Sequence, residues 1–205
     1  MPEMQEQALT IQQSISLAIQ YHEAGDLLRA EGIYQQILLA EPNQPIALHF
    51  LGVISHQLGK NDIACDLITK ALVIKPDYLE AHSNFGIILR ALGKLDEAIS
   101  CYQKILIIKP DYFEVHYNLG NALKDFGKLD DAVASFKKAI TIKPDYFEAH
   151  SNLSNALKEL GRLDEAVASY NKTITVKPDY TEAYSNLGVV LQELGKLDEA
   201  VASFN

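Results

Sequence analysis

The sequence has few cysteines, no surplus of basic residues and no long hydrophobic run. Two cysteines in 205 residues, Cys65 and Cys101, are too few for a disulfide framework and favour a reducing compartment. The 18 basic against 27 acidic residues argue against a nucleic-acid or anionic-membrane binder, because neutralising phosphates requires excess Lys and Arg. No apolar run approaches the ~18 residues of a membrane span. Residues 1–9 lack the pattern of a signal peptide. We therefore expect a soluble, cytoplasmic protein.

What the sequence does contain is a repeat of 34 residues. Lys-Pro-Asp-Tyr recurs at 75–78, 109–112, 143–146 and 177–180, and residues 113–146 and 147–180 are identical at 23 of 34 positions. The repeat predicts a lead-in at 1–10 and a single solenoid over 11–205. The predicted repeats are 11–44, 45–78, 79–112, 113–146 and 147–180, with a partial repeat at 181–205.

Each repeat has the pattern of two helices. In 79–112, an apolar stripe at helical spacing ends at Gly93, and a second stripe ends before Pro110. Asp111 and Glu114 have the spacing of a capping box, so we expect Asp111 to be the N-cap of the following helix. Neither helix of a pair can bury its stripe alone, so successive pairs must stack into an all-α solenoid.

These residues carry a family resemblance. In 113–146, Leu119-Gly120, Ala132, Phe136 and Pro144 stand where the tetratricopeptide repeat has its characteristic residues. The resemblance implies a right-handed superhelix of antiparallel helix pairs, whose first helices line a concave face. One departure is that histidines replace the usual early aromatic residue in three repeats, namely His82, His116 and His150. Because these histidines lie about 10 Å apart, we expect them to pack between helices and not to share a metal.

Asparagines recur on one face of the predicted first helices. Asn84, Asn118, Asn152 and Asn186 stand one repeat apart, and Asn121 and Asn155 lie on the same face. A side-chain amide offers a donor and an acceptor, as a peptide bond does. With helices about 8–10 Å apart and an extended peptide rising about 3.3 Å per residue, one amide per repeat would hold a peptide backbone at about every third residue. The alternative is that the amides bond neighbouring helices and fix the geometry between repeats.

Two basic residues share this face. Lys124 and Lys158 are expected either to pair with neighbouring glutamates or to hold a ligand carboxylate. The second arrangement resembles the clamp of chaperone-binding tetratricopeptide domains, but Tyr117 and Ser151 stand near the place where the clamp has another basic residue. We therefore include both lysines among the candidate peptide-binding residues.

The asparagines also resemble those of one branch of the family. Residues 108–112, 118–124 and 149–153 are similar to the tetratricopeptide arm of O-linked N-acetylglucosamine transferases, and 24–38 resembles bacterial multidomain proteins with such repeats. The first hypothesis is a binding scaffold for a protein or extended peptide, without catalytic residues, metal or cofactor. The alternative is the substrate-recognition arm of a larger protein glycosyltransferase. We also expect end-to-end association through the partial last repeat.

Overall fold

The computed structural model describes residues 9–204, with the side chain of Phe204 excepted, so most of the predicted lead-in lies outside it. Within this range there are α-helices and no strands. The helices are α1 (Ile11–Glu23), α2 (Leu27–Ala40), α3 (Pro45–Gln57), α4 (Asn61–Ile74), α5 (Leu79–Ala91), α6 (Leu95–Ile108), α7 (Phe113–Asp125), α8 (Leu129–Ile142), α9 (Phe147–Glu159), α10 (Leu163–Val176), α11 (Thr181–Glu193) and α12 (Leu197–Phe204).

The chain divides into two compact units. Unit 1 spans Met1–Leu92 and contains α1 to α5, and unit 2 spans Gly93–Asn205 and contains α6 to α12. Within each unit, every helix packs against the next helix in the chain, and α7 also contacts α9. Each unit is thus a stack of helix pairs, and the predicted all-α repeat class is confirmed. The single solenoid over 11–205 stays a prediction.

Close packing within two of the pairs depends on a glycine in the first helix. In unit 2, Gly120 of α7 faces Phe136 of α8, and a Cβ atom on Gly120 would lie 2.6 Å from the ring. Phe136 is fully buried. In unit 1, Gly52 of α3 faces Ile68 of α4 in the same way. The glycines therefore let the two helices of a pair approach closely.

A left-handed residue ends each first helix. At the end of α7, Gly127 has φ 84°, its N–H donates to Lys124 O, and the N–H of Lys128 donates to Leu123 O. This is the Schellman arrangement, which requires a positive φ that glycine adopts without steric penalty. The turn directs the chain into α8 after one further residue.

The predicted capping boxes are wrong. The helices that follow the Lys-Pro-Asp-Tyr segments have tyrosines as N-caps, and these tyrosines make no side-chain capping bond. The start of α9 illustrates the reason. Tyr146 packs edge-on against Phe113 and Tyr117, with ring centroids 5.2 and 5.0 Å away. This packing places the helix boundary one residue after Asp145.

The histidines secure the same turns. Nε2 of His150 donates to the carbonyl oxygen of Pro144 at 2.9 Å, and His116 does so to Pro110 at 2.8 Å. In unit 1, His82 bonds Pro76 at 2.8 Å. Each histidine thus ties the first turn of its helix to the preceding turn, and the expectation that these side chains pack between helices stays a prediction.

Candidate functional site

The predicted binding residues of unit 2 lie on one side of its first helices. Four positions at i, i+4, i+7 and i+11 of α7, α9 and α11 share this side, and we call it the amide face. Its residues are Glu114, Asn118, Asn121 and Asp125; Glu148, Asn152, Asn155 and Glu159; and Glu182, Asn186, Val189 and Glu193. The lysines Lys124 and Lys158 lie beside the last positions.

Asn152 joins α9 to α7. Its Nδ2 donates to Oδ1 of Asn121 at 2.8 Å and to the hydroxyl oxygen of Tyr117 at 3.1 Å. Asn121 is buried, with 6% of its surface exposed. The two bonds satisfy the polar groups of α7 that α9 would otherwise bury without partners. At this position the amide fixes the geometry between repeats, as in the alternative interpretation.

Asn155 accepts a hydrogen bond from the second helix of its own pair. The hydroxyl of Tyr170, in α10, donates to Oδ1 of Asn155 at 2.6 Å. Tyr170 is fully buried, and burial raises its pKa, with the charges of Glu182 and Glu159 adding to the effect. Tyr170 therefore stays protonated and holds the Asn155 oxygen, which leaves the amide NH₂ of Asn155 as the group available to a ligand.

Asn118 and Asn186 are arranged differently. Both side chains are half-buried. Neither amide makes a side-chain hydrogen bond with any residue in the described range 9–204. Each therefore retains a donor and an acceptor at the surface.

Unit 1 contains the remaining asparagine of the series. Nδ2 of Asn84 donates to Nε2 of His49 at 2.8 Å, and Nδ1 of His49 lies 3.0 Å from the hydroxyl of Tyr78. Because Nε2 accepts, the imidazole proton lies on Nδ1. Burial, together with the smaller effect of the charge of His22, lowers the pKa of His49 to about 4. Asn84 is therefore part of a buried polar network in unit 1.

Lys124 and Lys158 occupy the last turns of α7 and α9 and are half-buried. Among the residues that the structure describes, neither ammonium lies within ion-pair distance of a carboxylate. Of the two expected arrangements, pairing with neighbouring glutamates is therefore absent here. Both positions complement the negative end of a helix dipole.

Sequence reasoning missed Tyr117. Its hydroxyl accepts a bond from Asn152 and its ring packs on Tyr146 and, at 6.0 Å, on Phe136. The available signal was that the matching positions in three other repeats are the serines Ser83, Ser151 and Ser185. Burial raises the pKa of Tyr146, and nearby Tyr117, Glu148 and Glu114 contribute to the same shift.

Other kinds of site have no support in the described part of the chain. Residues 9–204 contain no group of three or more His, Cys, Asp or Glu side chains that could hold a metal ion. No helix in that range is both long enough and apolar enough to span a membrane.

Helix pairs repeated every 34 residues define an all-α helical-repeat protein. The chain belongs to the TPR repeat family, whose pattern matches residues 86–127, 120–161 and 154–195, together more than half of the sequence. No curated protein matches the sequence.

Solved structures with the same fold include several named TPR proteins. MamA is 27% identical, with a TM-score of 0.71 over 75% of this chain and 90% of that one. PilW, a widely conserved type IV pilus biogenesis factor, is 22% identical, with a TM-score of 0.87 over 96% of this chain and 91% of that one. YrrB, a TPR protein with an unusual peptide-binding site, is 21% identical, with a TM-score of 0.67 over 85% and 90%. Family and fold support a protein-interaction scaffold.

Proposed function

We propose that the chain binds an extended peptide segment of a partner protein along the amide face of unit 2. The observation that carries this proposal is the pair Asn118 and Asn186. Both amides occupy the same position of their helices, and neither has a side-chain partner in the described range. A helix interior disfavours asparagine, so two amides that support no neighbouring helix there are more useful to a ligand than to the fold.

Asn152 and Asn155 would contribute the polar groups that take no part in the hydrogen bonds described above. The NH₂ group of Asn152 donates to Asn121 and Tyr117 of α7, so its Oδ1 remains as an acceptor for a peptide N–H. Asn155 uses Oδ1 and retains its NH₂ group as a donor for a peptide carbonyl. A ligand would thus meet donors and acceptors at intervals of about 8–10 Å, the distance between packed helices. This spacing suits backbone recognition of an extended chain.

Lys124 and Lys158 would bound the peptide at one edge of the face. Their ammonium groups lack a carboxylate partner in the described range, so they are available to carbonyl oxygens or to a carboxylate of the ligand. We propose them as secondary contacts.

The experiment uses the full chain and a displayed random peptide library. Selected peptides should bind the wild-type chain. Their affinity for the Asn118→Ala/Asn186→Ala double variant should be about tenfold lower, because each substitution removes about one hydrogen bond. The matched control is Gln103→Ala/Asn171→Ala, which removes two exposed amides from α6 and α10. Methylating the peptide nitrogens should abolish binding. Failure to select any peptide, or equal binding by both variants, contradicts the proposal.

The alternative, that the chain is the substrate-recognition arm of a larger glycosyltransferase, stays a prediction. The cytoplasmic location of the protein also stays a prediction.

A further inference from the structure

The net charge of unit 2 is concentrated on its first helices. The helices α7, α9 and α11 contain six acidic residues and two basic ones, a net charge of −4. The rest of unit 2 contains eleven residues of each sign and is neutral. In unit 2, the excess of acidic over basic residues therefore lies on the first helices.

Three acidic residues of the second helices, Asp130, Asp164 and Glu165, have basic partners. Glu165 lies 2.7 Å from Nε of Arg162 and 3.5 Å from Nζ of Lys137. Asp164 lies 3.8 Å from Nζ of Lys196. These exposed pairs offset the charge of those three carboxylates.

The glutamates of the amide face have no such partners. In the described range, no basic side chain lies within ion-pair distance of any of them. The glutamates are Glu114, Glu148, Glu159, Glu182 and Glu193. Their negative charge is therefore left for a ligand or for solvent counterions.

Several of these glutamates contribute to the pKa shifts of two tyrosines, the half-buried Tyr146 and the fully buried Tyr170. The pKa of Tyr146 is raised first by burial and then by Tyr117, Glu148 and Glu114. The pKa of Tyr170 is raised first by burial and then by groups that include Glu182, Glu159 and Glu193. Carboxylates from α7, α9 and α11 thus act on Tyr146 and on Tyr170, the residue that bonds Asn155. The hydroxyl of Tyr180 also donates to Oε2 of Glu182 at 2.7 Å, which holds that carboxylate in place.

We infer that the partner segment bound by the amide face is basic, with Lys or Arg side chains that reach the unpaired glutamates while the amides hold its backbone. The inference rests on the proposed function. An acidic segment would bring its own charge against a net negative surface, which opposes association. Lys124 and Lys158 lie at one edge of the face, so Glu114, Glu148 and Glu182, in the first turns of the three helices, meet the basic side chains.

The test uses three fluorescent peptides of equal length and the full chain. Each peptide repeats a three-residue unit three times, with Lys-Ser-Thr, Gln-Ser-Thr or Glu-Ser-Thr as the unit, because an extended chain advances about 10 Å in three residues. Fluorescence anisotropy should give the tightest binding for the lysine peptide. The lysine peptide should also lose affinity as NaCl is raised from about 0.05 M to about 0.5 M, since salt screens exposed charges.

Two protein variants identify the carboxylates responsible. Glu114→Gln/Glu148→Gln/Glu182→Gln should weaken the lysine peptide by about tenfold, which corresponds to a few exposed ion pairs. The control Glu97→Gln/Asp131→Asn/Glu199→Gln removes three charges from the first turns of second helices, so it loses the same helix-dipole contribution. The control should bind as wild type does.

The outcomes separate this inference from the proposed function. Equal binding of the three peptides, lost in the Asn118→Ala/Asn186→Ala variant, would overturn the basic partner and leave the peptide site standing. Equal weakening by both charge variants would also overturn it, since the effect would then be one of net charge. If neither these peptides nor a selected one binds, the proposed function fails and the inference fails with it.

Discussion

Gly120 and Phe136 are in such close contact that a single methyl group on the glycine would lie 2.6 Å from Cε1 of the ring. Phe136 is completely buried, so its ring cannot move into solvent. The contact sets how near α7 and α8 approach, and α7 carries the first residues of the amide face. The position of that face therefore depends on a glycine that is not part of it.

Gly120→Ala should lower the free energy of unfolding by about 1–3 kcal/mol through overpacking, offset in part by the roughly 1 kcal/mol by which alanine favours a helix over glycine. In a Phe136→Leu background the same substitution should become neutral or stabilising, because the ring is gone. Urea unfolding followed by circular dichroism measures both. The same loss in both backgrounds would contradict the proposed contact.

The polar network of His49 makes unit 1 sensitive to acid. The pKa of His49 is about 4 in the folded protein, whereas its ordinary value is 6.5. The unfolded chain therefore binds a proton between these pH values that the folded protein refuses, and stability falls as pH decreases from 6.5 towards 4. The loss should reach at most about 3 kcal/mol.

Urea unfolding at a series of pH values, in wild type and in His49→Gln, measures this effect. The difference between the two profiles isolates His49 from the carboxylates that titrate in the same range. Parallel profiles would show that His49 does not contribute.

Asn152 and Asn186 should differ in their effect on stability. Asn152→Ala leaves Oδ1 of Asn121 and the hydroxyl of Tyr117 without their donor, which should cost about 1–3 kcal/mol. Asn186→Ala removes an amide with no side-chain partner in the described range and should change stability by less than about 0.5 kcal/mol. Urea unfolding of the two variants, beside Asn171→Ala on α10, provides the comparison. A larger loss for Asn186→Ala would contradict the bonding pattern.

Cys101 should react slowly with thiol reagents. The thiol is half-buried, and its pKa is raised by burial and by Glu97, with Lys104 opposing. Because the thiolate is the reactive form, Cys101 in a Cys65→Ser variant should react with Ellman's reagent about tenfold more slowly than glutathione at neutral pH. Unfolding the protein in urea should restore the ordinary rate. A native rate equal to that of glutathione would rule out the protection.

The periodicity of the sequence was sufficient to predict the helices, the repeat class and the shared face of Asn118, Asn152 and Asn186. Each follows from residue spacing on a helix. The N-caps were mispredicted because Asp145 and Tyr146 are adjacent, and the boundary between them is decided by the packing of a tyrosine on the preceding repeat. No local pattern contains that information.

The partners of the amides were equally beyond the sequence. Asn152 and Asn186 occupy the same position in similar helices, yet only Asn152 meets a tyrosine and a buried asparagine in the preceding first helix. Two differences accompany it: Tyr117 stands where the helix before Asn186 has Ser151, and the asparagine matching Asn121, Asn155, accepts from Tyr170. Whether an amide is bonded to the preceding helix is thus associated with residues in other helices.

The bond between Asn152 and Asn121 has a consequence for the proposed ligand. The two bonds from Nδ2 hold the Asn152 side chain in one orientation before a ligand arrives, so its Oδ1 would meet a peptide N–H without further loss of side-chain freedom. The amides of Asn118 and Asn186 would instead have to be immobilised when the ligand binds. The bond between two helices would thus also preorganise one contact of the proposed site.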